Sequence, residues 1–261
     1  MNVFALQPDI AWENKGVNFE KARRLLGQAA PDKGSLVVLP EMFATGFSMN
    51  MEQVAESYGG DTEEFLAGIA REYGVCVIAG AAMRDRHGNV RNKALVFSPA
   101  GELLGFYAKM RPFTPGGEAD RCIPGERPLV FEFRGWKISP FICYDLRFPE
   151  LFGEAVAARQ PELFVIIANW PAKRGAHWLR LLPARAIENQ AYAVGVNRVG
   201  KDPFYEYSGR SLILDPHGEV LADAGEREGY ARAFLNLESL RKYREGLPFL
   251  KDQKGWKSQQ P

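Results

Sequence analysis

Short, unbroken apolar runs alternate with segments of helical period along nearly the whole chain. This alternation limits the fold more than any other feature. Ser35–Leu39 and Leu163–Ala168 are continuous apolar runs of the kind found in strands buried on both faces. Val3–Gln7, Val75–Ala81 and Ala191–Asn197 are further short strand segments. Between them, Asn14–Ala30 carries Phe19, Ala22, Leu25 and Leu26 on one helical face. Asp61–Tyr73, Pro149–Arg159 and Ala176–Gln190 also read as helices, and Asp61 and Glu64 have capping-box spacing. The middle is β-rich: Val90–Ser98, Leu103–Tyr107, Pro128–Phe133 and Lys137–Ile142. Pro99-Ala100-Gly101-Glu102 and Asp215-Pro216-His217-Gly218-Glu219 are hairpin turns, the second between Arg210–Leu214 and Val220–Asp223. Tyr230–Leu235 closes the sheet region. The pattern predicts a layered α/β or α+β domain without fixing its strand order. With 261 residues, 46% of them hydrophobic, a single domain over 1–261 is expected, ending in a polar, extended tail from about residue 246.

Several function classes are disfavoured. Thirty-three basic and 32 acidic residues give a net charge of +1, with no Lys/Arg block, so a nucleic-acid partner is not expected. The apolar runs are far shorter than the roughly 20 residues of a membrane helix. The first residues carry no basic n-region or cleavage site. Three widely spaced cysteines suit a reducing cytoplasm better than a disulfide framework. No C-x-x-C, H-E-x-x-H, G-x-S-x-G, phosphate loop or G-x-G-x-x-G occurs, so neither a metal nor a cofactor is expected.

Three polar residues stand at the ends of apolar segments. Cys143 follows the run Trp136–Ile142 and precedes a turn and Pro149. Backbone N–H groups at such a turn and helix start are free to lower a thiol pKa or to hold an oxyanion. Glu41 ends Ser35–Leu39, after Pro40; partial desolvation there would raise its pKa and suit it to act as a base. Lys109 ends Leu103–Tyr107 and offers a fixed positive charge. Taken singly, each has a plainer reading: a buried inert cysteine, a solvated loop carboxylate, a surface lysine. Cys76, inside an apolar run, reads as inert, and Cys122, in a polar loop, as exposed or semi-exposed. A Cys–His mechanism would have to use His177, since His87 and His217 sit in turns; a cap or supporting role is its alternative.

Taken together, Glu41, Lys109 and Cys143 resemble the Glu-Lys-Cys triad of the nitrilase superfamily of carbon–nitrogen hydrolases. Val37-Val38-Leu39-Pro40-Glu41-Met42-Phe43 is similar to its glutamate motif, and Tyr107-Ala108-Lys109-Met110-Arg111-Pro112-Phe113 to its lysine motif. Ile142-Cys143-Tyr144-Asp145-Leu146-Arg147-Phe148-Pro149-Glu150 is similar to its nucleophile motif. Ala168-Asn169-Trp170-Pro171 and Ala184 to Tyr192 also match, so the resemblance runs from Asn2 to about Phe249. Pro40 to Phe47, Asn169 to Trp178 and Asn197-Arg198-Val199-Gly200 resemble the omega-amidases, the 2-oxoglutaramate amidases of the bacterial type.

The resemblance implies a four-layer α-β-β-α sandwich, a homodimer paired through a helical face, and a second glutamate between lysine and cysteine. Glu118 matches that position, with Glu126 as the competitor. It implies a cysteine thioester formed on a small amide, with Lys109 and the Tyr144 backbone N–H at the oxyanion. For an omega-amidase substrate, a cation must meet a carboxylate remote from the amide. Arg174 is the first candidate; Arg147 competes, with a structural ion pair as its expected role. Phe47, Phe113, Tyr144 and Trp170 are candidate pocket walls. Arg185 and Glu188 are spaced for a local ion pair. A deaminated-glutathione amidase, a carbamoylated-amine hydrolase, a nitrile hydrolase and a non-catalytic scaffold are the rival functions.

Overall fold

A computed structural model describes residues 1–252; the last part of the expected tail, 253–261, lies outside the described residues. The first half runs β1 (Asn2–Gln7), α1 (Lys15–Ala29), β2 (Leu36–Val38), α2 (Met51–Val54), β3 (Glu56–Ser57), α3 (Asp61–Tyr73), β4 (Cys76–Arg84), β5 (Val90–Phe97) and β6 (Leu103–Ala108). The second half runs β7 (Phe131–Phe133), β8 (Trp136–Ile142), α4 (Pro149–Arg159), β9 (Leu163–Ile167), α5 (Gly175–Glu188), β10 (Tyr192–Val196), β11 (Val199–Lys201), β12 (Glu206–Ser208), β13 (Leu212–Leu214), β14 (Val220–Asp223), β15 (Gly229–Phe234) and α6 (Leu237–Gly246).

One sheet has the order β15-β1-β2-β4-β5-β6, with β3 beside β4; the other has the order β14-β13-β10-β9-β8-β7. The centre of each is parallel. Val3 pairs with Leu36 and Leu36 with Cys76; Ile138 pairs with Leu163, which pairs with Tyr192. Parallel neighbours need crossover connections, and α1, α3, α4 and α5 supply them.

Alternation along the strands sets the layers. Val3, Ala5, Leu36, Val38, Cys76, Ile78, Ala94 and Val96 share one core cluster with the second sheet. Their neighbours Phe4, Leu6, Val37, Leu39, Val77, Ala79 and Leu95 pack instead against Leu25 and Leu26 of α1 and Leu66 and Ile69 of α3. The second sheet packs against Leu151 and Phe152 of α4 and Trp178 and Leu182 of α5. The order is helix, sheet, sheet, helix, as the layered reading and the resemblance expected.

The structure corrects several expectations. Asp61 and Glu64 do not form a capping box: Gly60 is the N-cap of α3, and the Thr62 N–H donates to Glu56, which lies outside the helix. Spacing alone could not show a carboxylate arriving from the neighbouring strand β3. Helix α6 and the hairpin β11–β12 had no counterpart in the sequence reading, and Phe249–Lys251 is a short 3-10 turn rather than extended tail. Cys122 is buried, not exposed, because the turn around Glu118 folds it inward. Among the described residues no helix is long and apolar enough to cross a membrane.

Candidate active site

The two sheets bring the ends of β2, β6, β8 and β9 to one place, followed respectively by Glu41, Lys109, Cys143 and Asn169. Glu41 and Glu118 are fully buried and Lys109 is nearly so. Lys109 Nζ donates to Glu41 Oε1 and to Glu118 Oε2, each at 2.8 Å. Asn92 Nδ2 donates to the same two carboxylates, at 2.8 Å to each Oε1. The Phe113 N–H donates to Glu118 Oε2 at 2.6 Å, and the Asn169 N–H to Glu41 Oε2 at 2.8 Å. Two buried carboxylates thus share one ammonium and one amide, the kind of saturation that buried charge requires.

This cluster sets the protonation of the site. Burial opposes the Lys109 charge, but Glu118, Glu41 and Cys143 together outweigh it and hold the ammonium well above its ordinary pKa. Burial pushes the Cys143 thiol well up; Glu41 and Glu118 push it the same way, and only Lys109 pulls it down. Cys143 therefore rests as a thiol, and would need a base to act as a nucleophile.

The backbone around the thiol is strained into place. Cys143 has φ +47°, in the left-handed region that non-glycine residues seldom occupy. The turn is tied down by Asp145, whose buried carboxylate accepts from the Ile142 N–H at 3.0 Å, the Arg111 N–H at 2.9 Å and the Tyr107 hydroxyl at 2.8 Å. Burial pushes Asp145 up to about 7, with Lys109, Tyr107 and the two N–H groups pulling against it. The glutamate side depends on Gly80 of β4. A Cβ there would lie 2.5 Å from both Glu41 Cα and Met42 N, so only glycine lets that backbone lie against the strand.

Over the thiol opens a small pocket. Phe47, Phe113, Tyr144 and Trp170 line it, with both Arg147 and Arg174. Asn169, Pro171, Tyr205 and Tyr207 complete the wall, and the last two come from or beside the unanticipated hairpin β11–β12. Arg174 lies over the Phe113 and Tyr205 rings, at 5.3 and 5.9 Å from their centroids. Arg147 lies 4.8 Å from the Trp170 centroid, and His177 Nδ1 meets its guanidinium at 3.2 Å.

Arg147 therefore departs from its expected role. Among the described residues no carboxylate forms an ion pair with it; the Glu150 of its own motif pairs with Arg111 instead, at 3.6 Å. Burial and the neighbouring Arg174 lower the Arg147 pKa, as two cations facing one pocket must. His177 is exposed and serves neither as helix cap nor as a pocket wall. Glu126 is exposed on a separate groove, away from the cluster that holds Glu118. Arg185 and Glu188 do form their local ion pair, at 2.9 Å.

Residues 3–245 match the family model described as carbon–nitrogen hydrolase. The chain belongs to the carbon–nitrogen hydrolase family. It is 34% identical to a 2-oxoglutaramate amidase of Bacillus subtilis, over 96% of each protein. It is 38% identical to an omega-amidase of Yersinia enterocolitica, over 95% of this chain and 94% of the other. A carbon–nitrogen hydrolase superfamily protein of Xanthomonas campestris, solved with an arsenic adduct in its active site, superposes with a TM-score of 0.91. That structure is 32% identical and the match covers 97% of this chain and 96% of the other. This full-length likeness makes the carbon–nitrogen hydrolase described here an amidase of the nitrilase superfamily.

Proposed function

We propose that this enzyme is an omega-amidase, releasing ammonia from the terminal amide of a small 2-oxo dicarboxylate monoamide such as 2-oxoglutaramate or 2-oxosuccinamate. Cys143 is the nucleophile and Glu41 the base. The carrying observation is the placement of Glu41: one carboxylate oxygen is held by Lys109 and Asn92, the other by the Asn169 N–H, and the Asn169 carbonyl in turn stands 3.8 Å from Cys143 Sγ. A carboxylate so held cannot swing away from the thiol.

The steps follow from the arrangement. Sγ attacks the amide carbon as its proton passes to Glu41. The oxygen of the tetrahedral adduct is held by Lys109 and the Tyr144 backbone N–H. Glu41 returns the proton to the nitrogen, the C–N bond breaks, and ammonia leaves a thioester on Cys143. Water, giving its proton to Glu41 and steered by Glu118, then attacks the thioester and frees the acid and the thiol. At the other end of the pocket, Arg174 and Arg147 take the substrate carboxylate between them, with Trp170, Phe113 and Phe47 as walls. Two guanidiniums that pair with no carboxylate among the described residues support an anionic ligand there. A homodimer paired through a helical face, acting in the cytoplasm on a free small molecule, fits this reading; the exposure of Ile187 on α5 is in keeping with such a face.

Ammonia release from 2-oxoglutaramate, with Cys143→Ala as control, tests the proposal. Turnover by the wild type alone is expected. If the wild type fails on this amide while Cys143 still reacts with alkylating agents, the substrate assignment falls. Deaminated glutathione and carbamoylated amines would then be tried on the same nucleophile.

A further inference from the structure

Asn169 is engaged at every polar atom but one. Its N–H donates to Glu41 Oε2, its Nδ2 donates to the Glu41 carbonyl at 2.6 Å, and its own carbonyl accepts from Cys143 Sγ. Its Oδ1 is buried and has no partner among the described residues. The orientation of the amide group is decided chemically: the Glu41 carbonyl can only accept, so the NH₂ must face it and Oδ1 must be the atom left over. Among the described residues the other buried side-chain atoms without partners belong to Glu63, Asn92, Gln190 and Arg198, none of which lines the pocket. Asn169 does line it, along with Cys143 and Trp170. A buried acceptor without a donor is a destabilising feature unless a ligand supplies the donor.

We propose that Asn169 Oδ1 accepts a hydrogen bond from the substrate's amide NH₂, making Asn169 the residue that selects amides over nitriles and esters. The inference rests on the assignment of Cys143 and Glu41 made above. The reacting group of a primary amide has one oxygen and one NH₂. Lys109 and the Tyr144 N–H are donors and claim the oxygen, so the NH₂ needs an acceptor elsewhere. Oδ1 provides one on the residue that also holds Glu41, so the nitrogen is turned toward the group that protonates it. An ester places an alkoxy oxygen at that position and a nitrile carries no N–H at all; each leaves Oδ1 unpaired, and a site built this way discriminates against them.

The test compares kcat/KM for the amide with that for the matched trifluoroethyl ester, whose leaving group departs readily without an N–H. Asn169→Ala should lower the amide value roughly tenfold to a hundredfold more than the ester value, the scale of one unmade buried hydrogen bond. Asn169→Asp keeps an acceptor and loses the tie to the Glu41 carbonyl; it should depress both substrates while keeping the amide preference. Equal losses on amide and ester in Asn169→Ala would mean that Asn169 only positions Glu41, and would overturn the proposal. Should Asn169→Ala not fold, binding to Cys143→Ala decides: the amide should bind more tightly than the ester, and equal affinities overturn the proposal. Turnover by Cys143→Ala would instead sink the underlying nucleophile assignment.

Discussion

The floor and the mouth of the pocket are built on opposite principles. Beneath the floor, out of contact with the pocket itself, Glu41, Glu118, Lys109 and Asn92 are buried and joined by direct bonds of 2.8 Å. At the mouth, Arg147 and Arg174 lie over aromatic rings at 4.8 to 5.9 Å, with a histidine nitrogen as the one side-chain hydrogen-bond partner of either guanidinium among the described residues. The floor turns on its one cation: removing Lys109 leaves two buried carboxylates without a counter-charge. The mouth is held by stacking, which tolerates small shifts, and its cations keep their hydrogen-bonding capacity for a ligand. Chemistry is fixed at one end and recognition is left adjustable at the other.

The largest test of this contrast is Glu41→Gln. The amide keeps the shape and removes the base, so kcat should fall by about 10² to 10⁴, the usual worth of general acid–base catalysis. The thiol should respond in the opposite sense. Burial and the Glu41 charge both raise the Cys143 pKa, so removing that charge leaves Lys109 less opposed and moves the titration midpoint of the thiol down. Alkylation rates followed against pH check this. A midpoint that rises in Glu41→Gln would mean that Glu41 acts on the thiol in some other way.

Lys109→Met should come next. It strips the shared cation from two buried carboxylates, a change that typically costs about 3–5 kcal/mol of stability. It also removes the only group that pulls the thiol pKa down, so the alkylation midpoint should move further up. Thermal unfolding and the same pH series read both effects. A protein of unchanged stability would show that the floor is less tightly coupled than its bonds indicate.

The same contrast explains what the sequence revealed. Glu41, Lys109 and Cys143 each close an apolar run, and a polar residue at that point is visible in a linear pattern. Asn92 and Gly80 lie inside strands, where periodicity marks only a face. Their roles depend on which segment lies beside them, and that is a property of strand order. The pocket wall was legible for Phe47, Phe113, Tyr144 and Trp170, which belong to motifs, but not for Tyr205 and Tyr207. Those two arrive on β11–β12, a hairpin too short to show a period of its own. Arg147 was expected in a structural ion pair because its motif is shared across the superfamily; in the fold the nearest motif carboxylate, Glu150, turns to Arg111.

Substitutions at the mouth should have the smallest effects and the most selective ones. Arg174→Ala and Arg147→Ala should each raise KM for amides bearing a remote carboxylate by roughly tenfold, with little change in kcat, as expected when binding common to ground and transition states is lost. Amides without the carboxylate should be nearly unaffected. The two arginines also repel, since Arg174 lowers the Arg147 pKa. Both guanidiniums would meet the same carboxylate, so the two losses should be coupled and the double variant should depart from their sum. Steady-state kinetics on a carboxylated and an uncarboxylated amide separate the cases. A loss in kcat on both substrates would place the arginines with the floor, as parts of its scaffold, and would erase the division between a rigid catalytic end and an adjustable binding end.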